Sequence, residues 1–159
     1  MMQGEIRFVL MFRLDQHLFG FNIEDTIRVI RAIEIRNVPT DNQLIQGVII
    51  VEEEIIPVFN LRKKLLLPAK ELSPDDFIIL FRFHDGKGAV VVDSVSGAEY
   101  VFRDENTGNL RNTDEMVIFK SLTMTDENLM FIPEPSKFMH DSEHINLLSE
   151  LKNFAGSIS

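Results

Sequence analysis

The chain has no cysteine, no tryptophan, a single tyrosine (Tyr100) and no apolar run long enough to cross a bilayer. Each absence closes off a class of chemistry. Without thiols there are no disulfide staples, no thiol nucleophile and no Cys-ligated zinc, and the chain suits a reducing compartment. A membrane-spanning helix needs about 20 consecutive apolar residues. The opening segment MMQGEIRFVLMFRL has neither an extended apolar core nor a small-residue cleavage site. A soluble, unexported, cytoplasmic protein without direct membrane insertion is therefore expected. Positive charge is scarce too: 16 Lys and Arg stand against 25 Asp and Glu, a formal net charge of −9 carried mostly after Leu80. A nucleic-acid binder displaces counterions with a basic stripe and stacks bases on aromatic platforms. This chain offers neither, so nucleic acid is excluded as a partner class, and anionic membrane is a poor one.

What is present is aliphatic and phenylalanine mass: 45% of 159 residues are hydrophobic, 13 of them Phe. A chain of this length buries roughly 70% of its unfolded surface in one domain. Phe8, Leu10, Phe12 and Leu14 alternate with other residues, the pattern of a half-buried strand. FGFNI followed by a short turn and the β-branched Ile27, Val29, Ile33 and Ile35 reads as strand, turn, strand. Gly47–Val51 and Ile55–Phe59 form a hairpin closed by Glu52, Glu53 and Glu54. Asn60 caps a short helix over Leu61–Leu67, stopped by Pro68. Ser73–Asp76 is a turn. FIILFRF and GAVVVDSV are strands joined through His84–Gly88, with the Asp85-Gly86 pair as hairpin signal. Arg103–Glu115 is a long polar loop, and Met116–Ile132 returns to β character. Ser142–Phe154 has helical apolar spacing and is ended by Gly156. Shifted by 74 positions, Gly47–Lys64 lies without gaps on Ser121–Phe138 with the same order of strand, acidic tip, strand and helix, which suggests two similar lobes.

Candidate sites are few. The acidic run Glu52–Glu54 reads either as a solvated hairpin tip or as an electrostatic contact for a partner. His140 and His144 have i, i+4 spacing, but HDSEH lacks the HExxH pattern and a third ligand, so no metal is expected. His17 and His84 read as surface residues beside turns. No Gly-x-Ser-x-Gly, P-loop or Gly-rich dinucleotide turn occurs. No catalytic residue and no cofactor are therefore expected. A small hydrolytic or ligand-binding β-barrel, using acidic residues around Asp93 and Glu99, is the alternative from another class.

Four segments in series resemble the CheW family, the adaptors that couple bacterial chemoreceptors to a histidine kinase. FGFNIEDTIRVIR (Phe19–Arg31) resembles its aromatic-Gly-Ile-Asp-Ile segment and the Val-x-Glu-Ile turn that follows. LIQGVIIVEEEIIPVFNLRKKL is similar to its signature Ile-Lys-Gly-Val-Ile-Asn-Leu-Arg-Gly-Glu-Ile-Ile-Pro-Val-Val-Asp-Leu-Arg. AVVVDSVSGAEYV resembles the Val-Asp-x-Val strand, and NLMFIPEPSKFM the closing strand and helix start. The resemblance implies a mainly β fold. Two small five-stranded β-barrel lobes share one hydrophobic core, with short helices including a C-terminal one. Residues 1–159 form a single domain with a lobe boundary near 68–76. It also implies no catalysis, binding to the regulatory domain of a CheA-type kinase, and binding to a chemoreceptor cytoplasmic tip through Thr26, Ile30, Gly47, Ile50, Glu52, Glu53 and Glu54.

The departures fall on that surface. Glu52 stands where the family has Arg, at a position implied in receptor contact, and Glu53 stands where it has a turn Gly. If the turn is kept, a β-carbon at positive φ costs on the order of 1 kcal/mol. Thr26 replaces Val, Asn60 replaces Asp and Ser121 replaces Gly. A divergent member that binds the kinase or another partner, but not standard receptors, is the alternative reading.

Overall fold

The computed structural model describes residues 4–104, 116–121, 129–135, 138–139 and 141–158. The first strand, β1 (Gly4–Leu14), is buried on both faces: Val9 and Met11 point one way, Leu10, Phe12 and Leu14 the other. A strand covered on both sides loses the simple apolar-polar alternation. β1 turns at Asp15 and Gln16 into β2 (His17–Asn22), pairing from Leu14↔His17 to Val9↔Asn22. Its other edge pairs with β8 (Ser94–Asp104), from Arg13↔Ser94 to Gly4↔Asp104. With β9 (Met116–Ser121) and β10 (Leu129–Pro133) these strands close a barrel in the order β1-β2-β10-β9-β8.

The second lobe comprises β3 (Thr26–Arg31), β4 (Ile45–Val51), β5 (Glu54–Phe59), β6 (Phe77–Phe83) and β7 (Gly86–Val92). Its order is β3-β6-β7-β5-β4. Two five-stranded lobes are thus present as the resemblance implies, but only the first closes. β3 and β4 are the edges of the second sheet, and the segment that connects them touches β4 at the isolated bridge Arg36↔Val48.

The lobes are not the two halves of the chain. After Asn22 the chain crosses to the second lobe through a 3-10 turn at Ile23–Asp25, builds five strands there, and returns at Ser94. The lobe boundary expected near 68–76 is therefore not there. That segment joins α1 (Leu61–Lys64) to β6 inside the second lobe. Its polar composition marks a loop, and a loop carries no information on which sheet the next strand joins.

Alternation along the strands sorts the core into three groups. Val9, Met11, Leu18, Val101, Met130 and Ile132 fill the first lobe. Ile49, Ile56, Val58, Ile78, Leu80 and Ala89 fill the second. Between them lies a shared layer rich in Phe, drawn from both lobes and containing Phe12, Phe21, Phe59, Phe81, Phe83 and Phe138. Phe21 meets Phe81 across the lobe junction with ring centroids 5.4 Å apart. Leu147 of the C-terminal helix α2 (Asp141–Ile158) is buried in the same layer.

Local differences from the sequence reading have local causes. β3 stops at Arg31 because its partner β6 begins at Phe77; the next N–H, that of Ala32, donates to Asp76 O in a loop. Ile33 and Ile35, expected in the strand, have no partner to pair with, and β-branching alone does not make a strand. α1 ends at Lys64 rather than Leu67, with Leu66 in the left-handed conformation (φ 59°) typical of helix stops. Its cap is as expected: Asn60 Oδ1 accepts from Lys63 N–H at 3.0 Å. The β6–β7 turn is His84-Asp85, and Gly86 already belongs to β7. The C-terminal helix runs past Gly156 to Ile158, since one helical Gly costs only about 1 kcal/mol. Most of the expected loop Arg103–Glu115, the second acidic tip of the internal echo, and His140 lie outside the described residues.

Candidate partner-binding surface

The β4–β5 hairpin pairs Val51 with Glu54, leaving a two-residue turn at Glu52 and Glu53. Both have positive φ, 50° and 69°. A type I′ turn demands this because its twist matches that of the flanking strands. Asn, Asp or Gly normally fill such positions, and two Glu there cost about 1 kcal/mol each. Glu54, expected in the turn, is the first residue of β5.

The tip is not a bare acidic cluster. Arg28 of β3 donates from Nη1 to Glu52 Oε1 at 3.2 Å, and Lys87 of β7 donates from Nζ to Glu54 Oε2 at 2.7 Å. Glu53 at the apex makes no ion pair among the described residues. Arg28 was not among the residues singled out from sequence, although a signal was present. In the gapless fit, Arg28 falls on the Glu of Val-x-Glu-Ile and Glu52 on the Arg of Asn-Leu-Arg-Gly. The signs are exchanged at both positions, and the fold brings the two side chains together.

The remaining candidates take different roles. Thr26 Oγ1 donates to Asn22 O at 3.2 Å, closing the 3-10 turn. Ile30 is half-buried and packs with Ile27, Ile35 and Val51 over the second lobe's core, and Ile50 is also half-buried. Gly47 is buried, far down β4 from the tip. Arg36 and Val48 exchange two backbone hydrogen bonds of 2.8 Å, drawing residues 35–36 across β4. A Cβ on Gly47 would lie 2.5 Å from Arg36 O and 2.7 Å from Ile35 Cγ2. Only Gly admits that approach.

A second charged group lies where the lobes meet. Arg62 of α1 donates from Nη2 to both carboxylate oxygens of Asp93, at 2.9 and 2.7 Å, and from Nη1 to Asp15 Oδ2 and Pro68 O, each at 3.1 Å. The Asp15 N–H donates to Asp93 Oδ2 at 2.6 Å. Lys70 adds Asp76 at 2.7 Å and Asp93 at 3.5 Å. Asp93 sits where the chain returns to the first lobe, and Asp15 in that lobe's β1–β2 turn, so Arg62 clasps one lobe to the other. Burial works to raise the Asp93 pKa, but the Asp15 N–H and the Arg62 guanidinium outweigh it and hold the carboxyl below its ordinary value. Arg62 is correspondingly raised: burial opposes its charge, and the bonds to Asp15 and Asp93 prevail. Lys70 is raised chiefly by its bond to Asp76.

Asp93 therefore has its carboxylate engaged by two cations and a backbone amide. Glu99 lies opposite Val9 in the first barrel. Neither lines the open groove of about 830 Å³ that Glu5, Phe8, Ile23, Arg82 and Glu134 help to form. The outer face of β1 and β8 instead carries an exposed apolar group, in which the Phe8 and Tyr100 rings meet at a 47° tilt with centroids 4.7 Å apart, beside Ile6. His84, read as a surface residue, stacks on His144 with centroids 4.6 Å apart. Among the described residues no three ligating side chains form a metal-sized group.

Comparison with known proteins gives one consistent answer. The CheW-like domain family matches residues 9–143. The chain is 30% identical over 135 residues to the Chemotaxis protein CheW of Thermotoga maritima, covering 84% of this chain and 87% of that one. It is 25% identical over 89 residues to the Chemotaxis protein CheW of Treponema pallidum, covering 54% and 52%. In three dimensions it is similar to the scaffolding protein TtCheW from Thermoanaerobacter tengcongensis, with TM-score 0.64 and 25% identity over 82% of this chain and 90% of that one. With the lobes, the hairpin and the signature residues Arg62 and Asp93 each in place, the chain belongs to the CheW-like family.

Proposed function

We propose that the chain is a non-enzymatic scaffold that couples chemoreceptors to a CheA-type histidine kinase in chemotaxis signalling. The observation that carries this reading is the construction of the body. Two lobes are locked through a shared Phe-rich layer and an ion clasp, and they present separate surfaces at a fixed mutual geometry. A rigid body with two weak contacts raises the effective concentration of one partner for the other, so coupling needs no chemistry. The kinase's regulatory domain docks on one lobe. The receptor's helical tip meets the edge of the second lobe, where Thr26, Ile30 and Ile50 flank Arg28 and the Glu52–Glu54 hairpin. Gly47 serves that edge by letting the chain cross β4. Residues 1–159 act as a single domain, in the cytoplasm, without nucleic acid or membrane insertion.

Titration calorimetry against the regulatory domain of the kinase from the same genome tests this directly. A saturable complex in the micromolar range is expected for a small transient interface. No heat and no band shift would remove the mechanism.

A further inference from the structure

We infer that Arg28 and Glu52 together are a polarity key. The exchanged pair fits the hairpin face to a helical tip whose charges are reversed from those an ordinary member of the family would accept, with a basic residue over Glu52 and Glu53 and an acidic one over Arg28. The inference rests on the scaffold reading and names its receptor-side specificity. Fold stability does not account for these residues. The side chains of Arg28 and Glu52 are 45% and 80% exposed, and such pairs contribute about 0–1 kcal/mol. The positive-φ turn formed by Glu52 and Glu53 is one that Gly would make with less strain. Strain held at an exposed tip points to use.

The exchange is also paired. Reversing one partner alone would set like charges against each other at the 3.2 Å contact. Reversing both keeps the internal pair and inverts the pattern that the face shows outward. Glu54 is matched by Lys87, so Glu53, which makes no ion pair among the described residues, adds its negative charge on the Glu52 side. Half-buried Ile27, Ile30 and Val51 supply apolar contact beside it. Like charges brought together across an interface disfavour the wrong partner by several kcal/mol, which makes the pair a device for rejection as much as attraction. Glu52→Arg alone should therefore not restore ordinary receptor binding, because it opposes two cations.

The test uses the full chain and a soluble signalling-tip hairpin of a Thermotoga maritima chemoreceptor. Binding is measured for the native protein, for Arg28→Glu, for Glu52→Arg and for the double exchange, with the kinase regulatory domain titrated in parallel and melting curves confirming the fold. The double exchange should bind the hairpin about tenfold tighter than the native chain and tighter than either single variant, and the gain should shrink as ionic strength rises. Kinase binding should be equal for all four. Equal hairpin binding by native and doubly exchanged protein, with kinase binding intact, overturns the polarity key; loss of kinase binding by the native protein overturns the scaffold reading instead. Should the double exchange fail to fold, the reciprocal experiment decides. A hairpin whose contacting carboxylates are replaced by Lys should bind the native chain about tenfold tighter than its parent, and equal binding overturns the proposal.

Discussion

Arg62 with Asp93 and Arg28 with Glu52 are both arginine–carboxylate pairs that join segments distant in sequence, yet they sit in opposite surroundings. The Arg62 side chain is 11% exposed and Asp93 24%, and both oxygens of the carboxylate accept from one guanidinium nitrogen while a backbone amide adds a third bond. Arg28 and Glu52 share a single 3.2 Å contact in open solvent. Charges removed from water must be matched completely, and breaking such a match leaves an uncompensated ion. Charges left in water are nearly neutral for stability and remain available to a partner. The same two residue types thus hold the lobes together at one place and present a charge pattern at the other.

Removing the clasp should have the largest effect. Asp93→Ala leaves the covered Arg62 guanidinium with one carboxylate, Asp15, and the Pro68 carbonyl, and should destabilise by about 2–3 kcal/mol, lowering Tm by roughly 5–10 °C. The effect should depend on pH with a definite sign. Asp93 titrates below its ordinary value in the fold, so its contribution is complete above the unfolded pKa of about 3.9 and disappears as pH falls through the folded one. Native and variant melting temperatures should converge in acid; an undiminished gap at pH about 3 would show that packing, not charge, is at work.

Glu53→Gly should act in the opposite direction, stabilising by about 1 kcal/mol because it removes a β-carbon at φ 69°. A lowered Tm for this variant would mean that the turn is not under strain. Smallest of all, Arg28→Ala should change stability by less than about 0.5 kcal/mol. That difference should vanish near 1 M salt, where the screening length is about 3 Å. A change as large as that of Asp93→Ala would erase the contrast between the two pairs.

Local pattern made much of this legible. The hairpin of Gly47–Phe59, the Asn60 cap and the spacing of the C-terminal helix each rest on neighbours in sequence. The need for Gly at position 47 does not, because the crossing of residues 35–36 over β4 imposes it. The topology was not legible, because β1 and β8 meet only after the whole second lobe has intervened, and no periodicity reports that pairing. The candidate partner-binding surface was half legible. Glu52 stood out by its sign, while Arg28 looked like any exposed strand residue until the fold placed it at the hairpin tip. Asp93 looked like a free carboxylate for the same reason, its cations lying 31 and 23 positions upstream.

The return of the chain to the first lobe at Ser94 also bears on how the protein is made. Gly4 pairs with Asp104, so a ribosome adding 5–20 residues per second needs about 5–20 s between producing the two. Throughout that interval β1 has only β2 as a strand partner, and its Val9 and Met11 face, which Val101, Met130 and Ile132 later cover, waits exposed. The middle lobe can assemble from its own strands while the outer one cannot close. Nascent chains halted before Ser94 should therefore be the aggregation-prone species during synthesis, with a finished second lobe tethered to an open, sticky hairpin.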